Sequence, residues 1–284
     1  MDLLDRLIDL ALDEDLGPAG DLTTLALVPV DAQGRGELWA KEPMVLSGLN
    51  AFIRAFHRFD SSVRVRSLKN DGDEVGPKTK IAELVGPMRS LLTAERTALN
   101  LIQRTSGIAT LSRAAAQAVA GSNLKILDTR KTTPGMRGIS KAAVRDGGAT
   151  NHRFGLSDGV LIKDNHLAAM GGSVTKALER ARAWAPRLVK IEIEVTTLDQ
   201  LKEAIDARAD IVLLDNMDDA LIEKAVALAA GRVELEASGN VTLERLPRLA
   251  ALGVDFVSMG ALTHSARAMD LSLELFPELS RDSA

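Results

Sequence analysis

Short apolar runs alternate with longer amphipathic segments throughout the second half of the chain. Each run is bounded by turn-forming residues, which is typical of a buried parallel strand. Most of the segments between the runs carry apolar residues at helical spacing, near 173–185, 197–208, 218–230 and 242–252. Strands joined by helices in this way form a parallel sheet with right-handed crossovers. The six predicted strands are residues 124–127, 159–162, 189–195, 211–214, 233–237 and 254–258.

The first half of the chain has a different pattern. Residues 3–16 have apolar positions at helical spacing, and Gly17-Pro18 ends this predicted helix. Short alternating segments follow from about residue 25 to residue 90, interrupted by a helix predicted over 48–58. This pattern favours a small antiparallel sheet with helices, which is an α+β module.

Three further features refine the fold class. A long helix is predicted over residues 93–121, with a break or kink at Ser106-Gly107. The last stretch, residues 269–284, is also predicted to be helical and is expected to fold back on the first module. No GxGxxG motif follows a strand, which disfavours a dinucleotide-binding fold. A closed or partly open barrel of alternating strands and helices is therefore the favoured architecture for the second half.

Polar or glycine residues stand at or near the carboxyl end of every predicted strand. Because parallel sheets and barrels bind ligands at this edge, we expect a ligand-binding rim there. The last two segments contain glycines that let backbone N–H groups approach an oxyanion, and barrels often bind phosphate after their late strands. The rim segments are Asp128-Thr129-Arg130-Lys131, Lys163-Asp164-Asn165-His166, Glu192 and Glu194, Asp215-Asn216, Ser238-Gly239-Asn240 and Met259-Gly260-Ala261.

Positive charge is concentrated near this rim. Arg130 and Lys131 follow one strand and Lys163 follows the next, with Arg137 and Arg153 between them. Cations gathered around one pocket repel each other unless a polyanion joins them, so a substrate with several negative charges is predicted. The 284-residue chain as a whole has a net charge of −4, so it has no general field that would hold nucleic acid or an anionic membrane.

The composition excludes several other classes of site. Cysteine is absent, which excludes disulfides, thiolate catalysis and zinc–sulfur sites. No apolar run reaches the roughly 18 residues needed to span a bilayer. The acidic, amphipathic N-terminus is unlike a signal or transit peptide. A soluble cytoplasmic protein is therefore expected, with neither membrane nor nucleic acid among its partners.

Carboxylates lie on two successive strands of the predicted sheet. Strand alternation places Glu192 and Glu194 on the same face, and Glu194 lies nearer the carboxyl end, with Asp215 on the next strand. Carboxylates there could hold Mg²⁺, hydrogen-bond sugar hydroxyls, or offset positive charge at a carbon centre. An internal salt bridge to Lys131 or Lys163 is the alternative, and the deeper Glu192 is the better candidate for a residue that only pairs with a lysine.

The histidines are less informative. His152 precedes a turn and could either donate to a substrate carboxylate or serve a structural role. His166 and His264 could equally hold loops or bind ligand. No His, Asp and Glu trio has the spacing of a metalloenzyme motif, and no serine lies in a nucleophile elbow.

Six segments, taken in order, resemble those of quinolinate phosphoribosyltransferases. DTRKTTPG and NHR followed by LIKDNH are the specific ones, whereas the glycine loops are not. The opening LALDEDLGPAGDLTT is also similar, so the resemblance covers nearly the whole chain. Alanines depart from the family pattern at 142–143 and 149, which are uncharged positions. The segments are ERTALNLIQRTSGIAT, LDTRKTTPGMR, GGATNHRFGLSDGVLIKDNH, LLDNM, SGNVT and GVDFVSMGALTHS.

The resemblance implies a domain organisation and a reaction. It implies an N-terminal α+β sandwich domain over residues 1–110, an open, incomplete α/β barrel carrying the active site over 111–268, and a C-terminal helical segment over 269–284. The implied reaction joins quinolinate and 5-phosphoribosyl 1-pyrophosphate, with Mg²⁺ and no organic cofactor, to give nicotinate mononucleotide, pyrophosphate and CO₂. It also implies a homodimer that shares its active site across the interface.

The resemblance further assigns site residues by motif position. Quinolinate would meet Arg96 of the partner subunit and the residues Thr129, Arg130, His152, Arg153 and Lys163. The phosphoribosyl donor would meet Lys131, Glu194 and Asp215, with Glu194 and Asp215 as the candidate Mg²⁺ ligands and all three as the catalytic residues. The 5-phosphate would lie against Ser238, Gly239, Asn240, Met259, Gly260 and Ala261.

Three alternatives fit parts of this pattern. A related protein associated with molybdenum transport would share the fold, but the intact NHR and LIKDNH segments favour the quinolinate enzyme. A Schiff-base aldolase would use a buried Lys163 as its nucleophile, which leaves the other cations and the glycine loops unexplained. A catalytically silent anion-binding protein would be expected to lose Glu194 or Asp215, and both are present.

Overall fold

A computed structural model describes residues 2–278 of the chain. Its helices are α1 Leu3–Leu16, α2 Leu22–Leu27, α3 Leu49–Phe59, α4 Met88–Ala118, α5 Arg137–Asp146, α6 Asp164–Ala169, α7 Val174–Trp184, α8 Leu198–Asp206, α9 Asp219–Ala229, α10 Leu246–Leu252 and α11 Ala261–His264. Its strands are β1 Gln33–Ala40, β2 Met44–Val45, β3 Arg64–Ser67, β4 Glu74–Val75, β5 Thr79–Pro87, β6 Lys125–Leu127, β7 Val160–Ile162, β8 Ile191–Val195, β9 Ile211–Asp215, β10 Glu234–Ser238, β11 Phe256–Ser258 and β12 Leu271–Glu278. The six strands predicted after residue 120 correspond to β6–β11.

The chain forms two compact units. Unit 1 comprises the residues up to Arg113, the segment Thr132–Gly148 and the described residues from Thr263 onward. Unit 2 comprises Ala114–Lys131 and Ala149–Leu262. The sequence predicted boundaries near residues 110 and 268, whereas the segment 132–148 also belongs to unit 1, although it lies between two strands of unit 2.

Unit 1 is built on a four-stranded antiparallel sheet in the order β12-β1-β5-β3. The predicted first helix is confirmed as α1, whose N-terminal N–H of Asp5 is capped by the carboxylate of Asp2 at 2.9 Å. Helix α3 buries Phe52 and Phe56, whose rings meet edge to face with centroids 5.2 Å apart. Both aromatic rings belong to the main hydrophobic core of this unit.

The prediction of a C-terminal helix was wrong. Residues Leu271–Glu278 form strand β12, which pairs antiparallel with β1 from Ala40↔Leu271 to Gln33↔Glu278. Leu271 and Leu273 are buried on the same side of the strand, since side chains of a strand alternate. Residues 279–284, the rest of the predicted segment, lie outside the described residues.

The predicted break in the long helix was also wrong. Helix α4 runs for 31 residues through Ser106 and Gly107 without interruption. Gly107 instead permits a close backbone approach, because a Cβ at this position would overlap the carbonyl oxygen of Arg267. None of the helices between residues 2 and 278 is both long and apolar enough to cross a lipid bilayer.

A glycine-to-alanine pair tests this explanation. We expect Gly107→Ala to lower the free energy of unfolding by about 1–3 kcal/mol, because the backbone around Arg267 must shift to admit the methyl group. Gly138→Ala, in helix α5, is the matched control, since a Cβ there meets nothing within 4 Å. Alanine favours the helix there by up to about 1 kcal/mol. Urea unfolding followed by circular dichroism measures both changes, and equal effects would contradict the close-approach explanation.

Unit 2 carries the parallel sheet. Its six strands lie in the order β6-β11-β10-β9-β8-β7, and every adjacent pair is parallel. Strands β6 and β7 form the two ends of the sheet, so the predicted open barrel is confirmed. Because all six strands run in one direction, the segments after their carboxyl ends lie along one edge.

Candidate active site

Two arginines of the rim lie close together in unit 2. Arg130 follows β6 and is half-buried, as is Arg153, whose Nη1 donates to the carbonyl oxygen of Gly159 at 2.8 Å. Burial and the positive charge of Arg130 lower the pKa of Arg153. An anion bound between the two guanidinium groups would offset this repulsion, so the pair stays a candidate for the anion site that the sequence predicted.

Lys163 and Glu194 form an ion pair at the ends of β7 and β8. The Nζ of Lys163 lies 2.5 Å from Oε2 of Glu194, and their side chains are 46% and 9% exposed. The sequence analysis favoured Glu192 as the lysine partner, which was wrong. Glu194 lies nearer the carboxyl end of β8 and meets Lys163, whereas Glu192 contacts His152. On the next strand, the half-buried Asp215 accepts a hydrogen bond from Nδ2 of Asn216 at 2.8 Å.

Two other rim residues are exposed or partly exposed after β6. The hydroxyl oxygen of Thr129 accepts the backbone N–H of Lys131 at 3.1 Å, which forms a local turn. The Lys131 side chain is exposed. This turn leaves Lys131 accessible to a substrate at the carboxyl edge of the sheet.

A buried cluster of His152, Glu192 and Glu236 lies in the same unit as Arg130, Arg153 and Lys163. The Nε2 of His152 is 3.1 Å from Oε2 of Glu192 and 3.6 Å from Oε2 of Glu236. Glu192 and Glu236 are 4% and 1% exposed and come from β8 and β10, which are separated by β9. The two carboxylates therefore converge on one imidazole from strands that are not neighbours, which requires a strongly curved sheet.

The other side of the His152 ring contacts the main chain. Its Nδ1 accepts the backbone N–H of Arg153 at 2.7 Å. The backbone N–H of His152 donates to the fully buried carboxylate of Asp128 at 2.9 Å, and the side chain of Asn151 donates to the same carboxylate at 2.7 Å. These contacts hold the segment 151–153 against the end of β6.

Burial and charge act on this cluster in opposite directions. Burial disfavours the charged form of His152, but its hydrogen bond to Glu192 and the charges of Glu236 and Glu192 outweigh burial and raise its pKa. Burial and the neighbouring charge of Glu192 raise the pKa of Glu236 to about 7. Two carboxylates this close therefore do not both carry a full charge at neutral pH.

Glu236 was missed by the sequence analysis. The two glutamates of VELEA, Glu234 and Glu236, alternate with apolar residues and resemble the exposed positions of an ordinary strand. The available signal was its place two residues before Ser238, on the same face of a strand that was predicted to be buried. No trio of metalloenzyme spacing is visible in the sequence because the members of this cluster are brought together only by the curvature of the sheet.

The two glycine segments end β10 and follow β11. The Ser258 hydroxyl donates to the Ser238 hydroxyl at 3.0 Å, which joins these strands at the rim. Gly239 has φ of 96°, and a Cβ there would overlap the side chain of Asn216. Asn240 also lies in the left-handed region, at φ 48°. Gly239 is partly exposed and Asn240 is exposed at this turn, so the turn stays a candidate for the oxyanion site.

The remaining glycine segment follows β11. The backbone N–H of Met259 donates to the carbonyl oxygen of Leu127 at 2.9 Å. Met259 is buried, and Gly260 and Ala261 are partly exposed at the start of α11. The segment therefore begins inside the sheet and emerges at its carboxyl edge.

Four residues that the sequence analysis named lie outside the cluster of His152, Glu192 and Glu236. Arg96 is exposed on α4 in unit 1, and Arg137, also in unit 1, donates from Nε to Thr132 Oγ1 at 3.2 Å. His166 caps α6, since its Nδ1 accepts the backbone N–H of Lys163 at 2.9 Å. His264 Nδ1 lies 2.6 Å from the hydroxyl of Ser265. Both of these histidines thus make local contacts within loops or helix ends.

Sequence comparison decides which family combines this sheet with these residues. The description "Quinolinate phosphoribosyl transferase, N-terminal domain" matches residues 21–106, and the corresponding C-terminal domain matches residues 108–274. The chain belongs to the quinolinate phosphoribosyltransferase family. The resemblance inferred from the sequence motifs is therefore confirmed.

Individual members of the quinolinate phosphoribosyltransferase family align over almost the whole length of this chain. A probable carboxylating nicotinate-nucleotide pyrophosphorylase of Bacillus subtilis is 43% identical over 272 residues, which is 96% of this chain and 93% of the relative. The crystal structure of NadC from Streptococcus pyogenes is 44% identical with a TM-score of 0.92, and 97% of each chain is covered. The nicotinate-nucleotide pyrophosphorylase of Francisella tularensis is 40% identical with a TM-score of 0.89, and 96% of each chain is covered.

Proposed function

We propose that this protein transfers the phosphoribosyl group of 5-phosphoribosyl 1-pyrophosphate to quinolinate, with loss of CO₂. The products are nicotinate mononucleotide and pyrophosphate, which is a step in the biosynthesis of NAD. The observation that carries the proposal is the close pair of Arg130 and Arg153 on a sheet edge that also presents Lys163 and two glycine turns. Family membership supports the same reaction.

The quinolinate site is proposed around the arginine pair. Guanidinium groups bind carboxylates through two parallel hydrogen bonds, and a pyridine dicarboxylate offers two such groups. Arg130 and Arg153 would bind the carboxylates, with Lys163, Thr129 and Arg96 of a second subunit as further donors. His152 would support this site, since its ring nitrogens contact Glu192 and the Arg153 backbone.

The phosphoribosyl donor is proposed to lie across the remaining rim. The backbone N–H groups around Gly239 and Gly260 would bind the 5-phosphate, together with the Ser238 hydroxyl. Lys131 would neutralise charge on the pyrophosphate as it leaves. Glu194 and Asp215 would hydrogen-bond the ribose hydroxyls and stabilise positive charge that develops on the sugar, because displacement at an anomeric carbon passes through an oxocarbenium-like state.

Magnesium fits the same two carboxylates. Oxygen ligands suit Mg²⁺, which is usually held by one or two carboxylates together with substrate phosphates. Glu194 and Asp215 lie on the adjacent strands β8 and β9, and one oxygen of Glu194 is already paired with Lys163. Asp215 and the second oxygen of Glu194 would hold the ion, which would neutralise the charge of the pyrophosphate. No organic cofactor is required, since the positively charged ring nitrogen would stabilise the carbanion left on the adjacent ring carbon as CO₂ departs, and a proton from water would then complete the product.

A direct assay tests the proposed reaction. Purified protein incubated with quinolinate, phosphoribosyl pyrophosphate and Mg²⁺ is expected to release CO₂ and form nicotinate mononucleotide, detected by mass spectrometry. Nicotinate in place of quinolinate is expected to give little product, because it lacks the second carboxylate. Equal rates with the two acids would contradict the role given to the arginine pair.

A homodimer with shared active sites is part of the proposal. Helix α2 leaves Leu22, Leu25 and Leu27 exposed, and Val30 follows them, so unit 1 presents apolar side chains suited to burial against a second subunit. Arg96, exposed on α4, would then reach the quinolinate site of that subunit. Such an arrangement places residues from both chains in each site.

Subunit complementation tests this arrangement. Arg96→Ala and Arg153→Ala are each expected to be nearly inactive at low quinolinate concentration. After the two variants are unfolded and refolded together, activity should recover to about a quarter of the wild-type value, since half of the dimers have one intact site. No recovery, with dimers confirmed by light scattering, would contradict a shared site. Co-refolded Arg130→Ala and Arg153→Ala form the control, because both residues belong to the same site and no recovery is expected.

The aldolase alternative is not supported by the site. A Schiff-base lysine is activated by burial in an apolar pocket or by a second cation. Lys163 is instead 46% exposed and paired with Glu194. The cytoplasmic location stays a prediction of the sequence.

A further inference from the structure

The buried cluster of His152, Glu192 and Glu236 includes one residue, Glu236, that has no part in the reaction as described above. Its donor atoms lie within 4.8 Å of one another. One oxygen of each glutamate, Oε1 in both cases, is buried and has no hydrogen-bond partner within residues 2–278. Buried carboxylates are rarely left in this condition, because the cost of removing them from water must be offset by a specific interaction.

The hydrogen bonds of His152 decide between a metal site and a protonated cluster. Its Nδ1 accepts the backbone N–H of Arg153 and therefore has no hydrogen of its own. In the neutral ring the hydrogen must then be on Nε2, the atom that faces Glu192 and Glu236. A metal-bound histidine has the reverse arrangement, since its second ring nitrogen donates to an acceptor. The geometry thus favours a histidine that donates to Glu192, with Glu236 as the second carboxyl group beside it.

We infer that Glu236, together with Glu192, acts as a positioning residue that holds the quinolinate-binding Arg153 in place through His152. This inference rests on the proposed function. Glu192 accepts Nε2–H of His152 at 3.1 Å, and Glu236, which is 3.6 Å from that nitrogen and hydrogen-bonded to Glu192, holds the accepting carboxylate in place. This contact fixes the ring orientation and leaves Nδ1 as the acceptor for the Arg153 backbone. The Arg153 guanidinium is held at its other end by the carbonyl oxygen of Gly159. Glu236 therefore acts on a substrate-binding arginine without touching the substrate.

The location of each group supports this relay. The side chains of Glu236 and His152 are 1% and 15% exposed, and Arg153 is half-buried. Exposure to solvent therefore increases from the carboxyl pair to Arg153. Asp128 fixes the His152 backbone independently. Loss of Glu236 is therefore expected to release the Glu192 carboxylate and, through it, the His152 ring, while the surrounding chain keeps its position.

A comparison of two substitutions tests the relay. Glu236→Leu removes the partner that holds the accepting carboxylate of Glu192 and is expected to raise the KM for quinolinate about tenfold, with the KM for phosphoribosyl pyrophosphate changed less than about twofold. Glu236→Gln keeps an oxygen acceptor and mimics the protonated carboxyl group. It is expected to recover most of the affinity that leucine loses. Equal changes in both KM values, or no rescue by glutamine, would overturn the inference.

The ring itself supplies a readout that does not depend on activity. In protein labelled with ¹³C-histidine, the chemical shifts of His152 are expected to report the Nε2–H tautomer, and Glu236→Leu should abolish this preference. His152→Asn assigns the signal among the four histidines. A wild-type His152 with hydrogen on Nδ1 would overturn the relay even if the protein converts quinolinate. Absence of nicotinate mononucleotide in the assay, with the Nε2–H tautomer present, would instead overturn the proposed function alone.

Metal binding is the competing outcome. Protein treated with chelator and dialysed is titrated with ZnCl₂, and with MnCl₂ in a second experiment, in an isothermal calorimeter without substrates. The inference predicts that wild type and Glu236→Gln give the same result. Tight binding of one ion per protomer to wild type that is lost in Glu236→Gln would show that the cluster is a cation site and would overturn the relay.

Discussion

Replacing Arg153 with alanine is expected to raise the KM for quinolinate about 100-fold and to leave the KM for phosphoribosyl pyrophosphate within about twofold. A charged hydrogen-bond pair between a guanidinium and a carboxylate stabilises a complex by about 1.5–3 kcal/mol, and 100-fold corresponds to about 2.7 kcal/mol. Arg153 also lies beside Arg130, whose positive charge lowers the pKa of Arg153, and a bound anion would offset this repulsion. Steady-state kinetics with each substrate varied in turn measures both constants.

Arg153→Lys is the matched control for charge. Lysine keeps the positive charge but not the planar fork, and it is expected to recover only part of the lost affinity, leaving KM about tenfold above the wild-type value. The alanine variant should also lose most of its preference for quinolinate over nicotinate. Equal losses of affinity for both substrates would contradict the placement of Arg153 at the dicarboxylate.

The parallel half of the fold was predictable because its pattern is local. Short apolar runs with helices between them leave few topologies, and strands β6–β11 lie where the runs predicted them. The predicted rim followed from the same pattern, since carboxyl ends of parallel strands share an edge. The local sequence pattern predicted the wrong element where contacts between distant parts of the chain determine the structure. The segment that begins at Leu271 was predicted to be a helix. Its leucines at 271, 273 and 275 alternate as in a strand, and pairing with β1 makes it a strand.

Gly107 shows the same limit within a helix. Glycine lowers helix propensity, so Ser106-Gly107 was interpreted as a break. The structure uses the missing Cβ for close packing against the backbone at Arg267, 160 positions later in the chain, and the helix continues. Long-range contacts of this kind have no signal in the local sequence.

Pairing among the charged residues was the least predictable part of the site. Alternation correctly placed Glu192 and Glu194 on one face, but it could not say that Glu194 meets Lys163 while Glu192 meets His152. Those partners depend on the stagger and curvature of the sheet. Glu236 joins the cluster across β9 for the same reason, so the sequence of its own strand could place it on a buried face but could not identify its partners.

The stability of the protein is expected to fall as the pH rises towards 7, because of Glu236. The pKa of Glu236 is about 7 in the folded protein, against 4.5 for an unperturbed glutamate. Between these values the folded state binds more protons than the unfolded state, so raising the pH favours unfolding. The contribution is fully present below about pH 4.5 and is lost as the pH rises through about 7, which amounts to about 3 kcal/mol. The raised pKa of His152 acts in the same direction.

Glu236→Gln isolates this effect from all other titrating groups. Glutamine cannot ionise, so the variant should match wild type near pH 5 and exceed its free energy of unfolding by about 2–3 kcal/mol at pH 8. Urea unfolding at several pH values measures the difference. Glu223→Gln, at an exposed position on α9, is the control and should change stability by less than about 0.5 kcal/mol at every pH. A difference between wild type and Glu236→Gln that does not vary with pH would show that Glu236 is ionised throughout, and the cluster would then need a cation other than a proton.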